Sequence, residues 1–157
     1  MQVVGTKEKF AFLIGPATGQ LRTVQVWAGG RNLTPVDTSA YLPSFVYAME
    51  RSEILLRNEE RILKHEASLQ GLTVEEALEQ LISQELPQAW AELRILNWGE
   101  TMDDVLCFLV PVQGKVHLAW MEFPSRGLHS LQVVPGELAE VMRCARDILN
   151  TSGGLDA

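Results

Sequence analysis

The sequence predicts an α+β fold: a mainly antiparallel sheet with helices packed on it, in the order ββ-ααα-ββββ-α. Three observations carry this. From Val105 to Val134, three apolar runs are separated by turn residues, the most strongly patterned stretch of the chain. Apolar residues recur at helical spacing through the middle of the chain and again near its end. Two shorter alternating runs precede the helices and close on Gly29-Gly30. Short connections make sequential strands antiparallel neighbours, and a sheet with apolar faces needs a helix layer to cover it.

Taken in order, Lys9 to Gly15 reads as a first strand, with Phe10, Phe12 and Ile14 on one face. Gly15-Pro16-Ala17-Thr18-Gly19 is a loop by composition. Leu21 to Ala28 is a second strand with Val24 and Val26 inward. Gly29-Gly30 signals a hairpin, and Arg31-Asn32-Leu33 returns briefly. The run from Thr34 to Ser39 is a turn and cap cluster. A helix begins near Pro43, which is tolerated only in a first turn, and Leu42, Phe45, Val46 and Met49 share its face. The pattern blurs from Glu50 to Ser52 and resumes as a second helix, or a bent continuation, to about Leu69. Thr73-Val74-Glu75-Glu76 is a capping box, opening a third helix with an apolar stripe of Val74, Ala77, Leu78, Leu81 and Ile82 that Pro87 closes. Trp90 to Leu96 reads as a strand, followed by a polar loop from Asn97 to Asp104.

The meander comes next. In its first run Leu106, Phe108 and Val110 face one way and Val105, Cys107 and Leu109 the other. Both sets are apolar, so this strand sits inside the sheet with both faces covered. Gln113-Gly114 is a tight turn. Val116, Leu118 and Trp120 share one face of the next run, with Trp120 in the core; Leu128 to Val134 forms the last. Pro135 then occupies the favoured first position of a closing helix, whose apolar face is Leu138, Val141, Met142, Ala145, Ile148 and Leu149. The expectation is one domain over residues 1–157, with 151–157 a frayed tail.

Composition narrows the function classes. Hydrophobic content of 46% and charged content of 21% fit an ordinary globule. No apolar run reaches the roughly 18 residues that span a bilayer, and no secretory leader pattern opens the chain. Cys107 and Cys144 lie in apolar patterns and read as small buried side chains. The expected setting is therefore a reducing cytoplasm, without membrane attachment. Net charge is −7, and the segment from Glu75 to Asp104 carries eight acids against Arg94 alone, equal to the whole excess. This argues against nucleic acid, which needs clustered Lys and Arg, and suits a basic protein partner.

Candidate chemistry is sparse. His65 lies among charged residues and reads as exposed; His117 and His129, on different strands, could approach across the sheet. Neither has Cys or Asp at ligand spacing, so no metal site is expected. Asp103-Asp104 with Glu100 lack a calcium-loop spacing and read as solvated. Ser125 and Ser130 lack the strand–turn–helix context of a nucleophile elbow. The glycines around Pro16 lack the Gly-Lys-Ser/Thr close of a phosphate loop. Cys107 beside His117 is not a thiol–base pair, because apolar neighbours keep a thiol protonated. No catalytic residue and no cofactor is expected. Trp98, among polar residues, reads either as an interface anchor or as a side chain folded back over the core.

Val4-Gly5-Thr6-Lys7-Glu8-Lys9-Phe10-Ala11-Phe12 resembles the opening of the immunity protein 42 family of bacterial polymorphic-toxin systems, whose members begin with a short glycine-containing lead into a Lys-Phe-Ala strand. Val24-Gln25-Val26-Trp27-Ala28-Gly29-Gly30, then Leu33 and a helix from about Leu42, is similar to the same family's next strand, glycine turn and helix. The family lead often has Asp-Pro after the glycine, where this chain has Thr6-Lys7. The likeness covers about the first 50 residues. It implies a non-enzymatic cytoplasmic protein that binds and neutralises a cognate toxin, with occupation of the toxin's active site or substrate path as the expected mode; the chain itself is expected as a monomer or homodimer. The charge census then points to Glu75, Glu76, Glu79, Glu100, Asp103 and Asp104, with Trp98, as contact residues. A cytoplasmic secretion chaperone for an effector is the second reading, and a small enzyme the third.

Overall fold

A computed structural model describes residues 1–35 and 38–153. Their order is β1 (Gln2–Thr6), β2 (Phe10–Thr18), β3 (Leu21–Ala28), β4 (Arg31–Asn32), β5 (Ser39–Tyr41), α1 (Leu42–Leu56), α2 (Glu59–Leu63), α3 (Val74–Ile82), α4 (Pro87–Leu93), β6 (Arg94–Ile95), β7 (Val105–Val112), β8 (Lys115–Glu122), β9 (Leu128–Val133) and α5 (Pro135–Gly153). Short 3₁₀ turns stand at Ala67–Leu69 and Glu100–Met102. The fold is α+β and antiparallel, as predicted, but the described strands make two sheets rather than one. The first runs β1-β2-β3-β4, with β5 also paired to β3; the second runs β6-β7-β8-β9. Alternation marks strands but not which edges meet.

The two sheets share one core. Phe10, Phe12, Ile14, Val24, Val26 and Ala28 of the first sheet belong to the same buried cluster as Cys107, Leu109, Leu118 and Trp120 of the second. The β3–β4 turn approaches the second sheet closely: a Cβ placed on Gly29 would lie 3.6 Å from the Trp120 ring. Helices α2, α3 and α4 pack on β7, while α5 packs along α1 and against β1 and β2. Gly5 of β1 has φ +86, and a Cβ there would sit 2.2 Å from the Phe10 carbonyl oxygen. Only glycine takes that backbone without moving the neighbouring strand.

The meander follows its local pattern. Both faces of β7 are largely buried. Gln113 and Gly114 both have positive φ, 55 and 73, the geometry whose twist matches a two-residue hairpin. Thr73 caps α3 by accepting from the Glu76 backbone amide at 3.1 Å. Pro135 opens α5 as expected.

Several expectations change. β1 and β5 were not anticipated: β1 is brief, and β5 is a strand only through its pairing with β3. Of the expected loop at Gly15–Gly19, Gly15 to Thr18 form the end of β2 and only Gly19 lies in the turn; the register of β2 shifts between Ile14 and Ala17, and a bulge is where a strand accommodates proline. Pro87 does not close the third helix. It opens α4, because a first-turn proline loses no intrahelical bond. Residues 90–93, read as strand, are therefore helical, with Ala89 and Leu93 buried one turn apart. Of the turn cluster, Val36 and Asp37 lie outside the described residues, as do 154–157 of the supposed tail.

Candidate partner interface

The acids singled out by the charge census occupy two neighbourhoods. Glu75 and Glu76 fill the first turn of α3 and Glu79 the next; all three are exposed, opposite the buried Ala77, Leu78 and Leu81. Their charge stands at the helix end that favours it. Helix α3 lies on β7, β8 and β9, whereas the Glu100–Met102 turn packs on β5. Glu100 opens that turn, and its side chain lies outside what the structure describes. Thr101, buried, anchors the turn by donating to the Ser39 carbonyl at 3.0 Å. Asp103 is exposed and Asp104 half-buried. The Asp104 backbone carbonyl accepts from Phe123 at 2.9 Å, tying this loop to the far end of β8.

Trp98 takes the second of its two readings. It is 4% exposed, stacked on Phe12 at 5.8 Å and edge-on to Phe45 at 5.2 Å. Its indole N–H donates to the buried Ser52 hydroxyl at 2.8 Å. The side chain is folded over the core.

His65 is not exposed. It is 6% accessible, and its Nε2 lies 3.0 Å from a Glu92 carboxylate oxygen. Lys64 reaches the same oxygen at 2.7 Å and Arg61 at 3.8 Å. The hydrogen bond from Lys64, then that of His65, holds the Glu92 carboxyl down to about 2. Glu92 lies 27 positions further along the chain, so no local pattern could show this latch between α2 and α4. His117 and His129 do not meet: His117 pairs with Gln132 and His129 with Trp120, which puts their side chains on opposite faces of the sheet. His129 instead lies 3.3 Å from Glu122, which Arg31 also grips with two hydrogen bonds. Burial pushes the Cys107 thiol well up from its ordinary value, so it is no nucleophile. Cys144 is only half-buried. Among the described residues no group of three or more metal-ligating side chains forms, and no described helix is long and apolar enough to cross a membrane.

A second surface was not anticipated. Between α1 and the α4–β6 segment runs an open groove of about 640 Å³. Tyr47, Arg51 and Ile54 form one wall, Trp90 and Arg94 the other, and Trp98 stands at its base. Tyr47 and Ile54 are 61% and 62% exposed. Their spacing with Arg51 (i, i+4, i+7) marks one outward helix face, which is a signal legible in the blurred stretch of α1.

The architecture defines a class: an α+β chain of two antiparallel sheets joined through one core, with five helices among the described residues. No family model matches the chain, the immunity protein 42 family included, and no curated protein matches it. Among solved structures, it is similar to CdiI from Burkholderia dolosa AUO158, with a TM-score of 0.62 and 16% sequence identity, over 96% of this chain and 99% of that one. At that identity the likeness is one of fold, shared from end to end.

Proposed function

We propose that this protein is an immunity protein that binds and neutralises a cognate antibacterial toxin in the cytoplasm of the cell that makes it. The observation that carries the reading is the end-to-end likeness of fold to CdiI, an immunity protein of contact-dependent inhibition. Inhibition is by occupation of the toxin's active site or substrate path, without chemistry by this chain. The exposed acids Glu75, Glu76, Glu79 and Asp103, with Glu100 and Asp104, supply the contact surface. Complementary charge speeds capture of a basic partner and orients it. Trp98, packed on Phe12 and Phe45, is a core side chain and is not part of this contact surface.

The test is survival. The product of the gene immediately upstream in the source strain is expressed in a sensitive bacterium with and without this protein. Rescue, with a stable complex on co-purification, is the expected result. Killing that this protein does not relieve overturns the reading for that pair. Capture of unfolded secreted substrates then becomes the measurement that decides for a secretion chaperone.

A further inference from the structure

The groove between α1 and α4–β6 runs against the charge of the rest of the molecule. Acids outnumber bases 20 to 13 over the whole chain, yet the groove is lined by Arg51, Arg61 and Arg94 against the single carboxylate of Glu92. That carboxylate is already held by Lys64 and His65, with Arg61 itself 3.8 Å away, so Arg51 and Arg94 are the charges the groove leaves unbalanced. Among the described residues, no carboxylate lies within ion-pair distance of Arg51 or Arg94. Each guanidinium lies over an aromatic ring instead: Arg51 is 6.0 Å from the Tyr47 centroid and Arg94 5.1 Å from that of Trp90. Stacking leaves the edge N–H donors of a guanidinium open to a carboxylate fork; among the described residues Arg94 uses one of them in a long, 3.5 Å hydrogen bond to the Asn97 side-chain oxygen. Tyr47 and Ile54, both exposed, offer apolar area between the charges.

We propose that this groove docks an extended, acidic peptide segment of a protein partner. The segment's carboxylates meet Arg51 and Arg94, with Arg61 adding to the local positive field, and one of its apolar side chains rests against Tyr47, Ile54 and Trp90. A short segment feels mainly the local field, because salt screens charges beyond about 8 Å at physiological ionic strength. A long polyanion extends beyond the groove onto an acidic protein. Three arginines release only about three counterions, so a peptide fits better than nucleic acid. The proposal stands apart from the immunity reading, since it concerns this groove whichever protein carries the segment.

The experiment titrates the full chain into a fluorescein-labelled synthetic peptide of Glu and Asp around a central Leu, followed by polarisation. Binding is expected at low salt, weakened at least tenfold by the double substitution Arg51→Glu/Arg94→Glu and unchanged by Arg126→Glu, an exposed arginine in the β8–β9 turn. Ile54→Ser, at an exposed position where folding is insensitive, is expected to weaken binding several-fold. The proposal is overturned if the peptide does not bind the wild-type chain, or if it binds the double variant equally well. It is also overturned if a labelled single-stranded oligonucleotide of equal charge displaces the peptide at equal concentration.

Discussion

Arg146 of α5 forks onto Glu53 of α1, with Nε 2.5 Å from Oε2 and Nη2 3.2 Å from Oε1. Glu53 is 5% exposed, and its hydrogen bonds raise the pKa of Arg146. The pair joins the two longest helices across 93 positions of sequence.

This geometry predicts an asymmetric response to mutation. Arg146→Met alone leaves a carboxylate buried between helices without its counter-charge, and is expected to cost about 3–5 kcal/mol. Adding Glu53→Leu removes the stranded charge and restores most of that loss. Urea denaturation of the single and double variants measures it. Equal losses in both would show that the pair contributes no coupling.

The latch on Glu92 predicts a pH dependence. Its carboxyl is depressed from 4.5 to about 2 in the folded chain. A carboxylate with a lowered folded pKa stabilises in full above its unfolded value and loses that contribution as pH falls toward the folded one. Glu92→Gln is therefore expected to destabilise at pH 7, with the difference from wild type shrinking between about pH 4.5 and 2. Denaturation midpoints across that window test this. A difference constant down to pH 2 would remove the Glu92 charge as its source.

The two thiols should separate kinetically. Cys107 is buried on β7 with its pKa raised, while Cys144 is half-buried on α5. Thiolate fraction and access both control reactivity. A thiol reagent is expected to label Cys144 in the native chain and Cys107 only on unfolding. Cys107→Ser, which puts a hydroxyl on the strand face shared with Ile95, Leu109 and Trp120, is expected to lower stability by about 1–3 kcal/mol. Labelling of both thiols at one rate under native conditions would place Cys107 in a region that opens readily.

What could be read from sequence was what local chemistry dictates. The bounds of β3, the β7–β8–β9 meander, the Thr73 cap and the Pro135 start rest on alternation, turn residues and caps within a few positions of each element. What could not be read depends on distant partners. Ser39 closes the turn cluster and the two residues after it are too few to show alternation, so Ser39–Tyr41 becomes β5 only by pairing with β3. His65 is polar among polar neighbours, and only Glu92 accounts for its burial. Pro87 is ambiguous by nature, since the same residue can end one helix or begin the next. The acids of α3 were visible as a charge run, but the arginine groove was not. Arg51, Arg61 and Arg94 are scattered singly through the sequence and share a surface only after folding.

Trp98 brings fold and function to one experiment. An interface anchor and a core side chain respond differently to the same substitutions. As a core residue bonded to Ser52, Trp98 is expected to lose about 0.5–1.5 kcal/mol on Trp98→Phe, the typical worth of a hydrogen bond. Trp98→Ala, which opens a large cavity against Phe12 and Phe45, is expected to cost about 3–5 kcal/mol. Partner affinity of the folded Trp98→Phe protein should then match wild type. A phenyl ring still fills the space under the groove, and the exposed acids and arginines remain where they were. Measuring stability and affinity on this one variant separates the roles. Affinity lost at unchanged stability would mean that binding draws the indole out of the core to meet the partner.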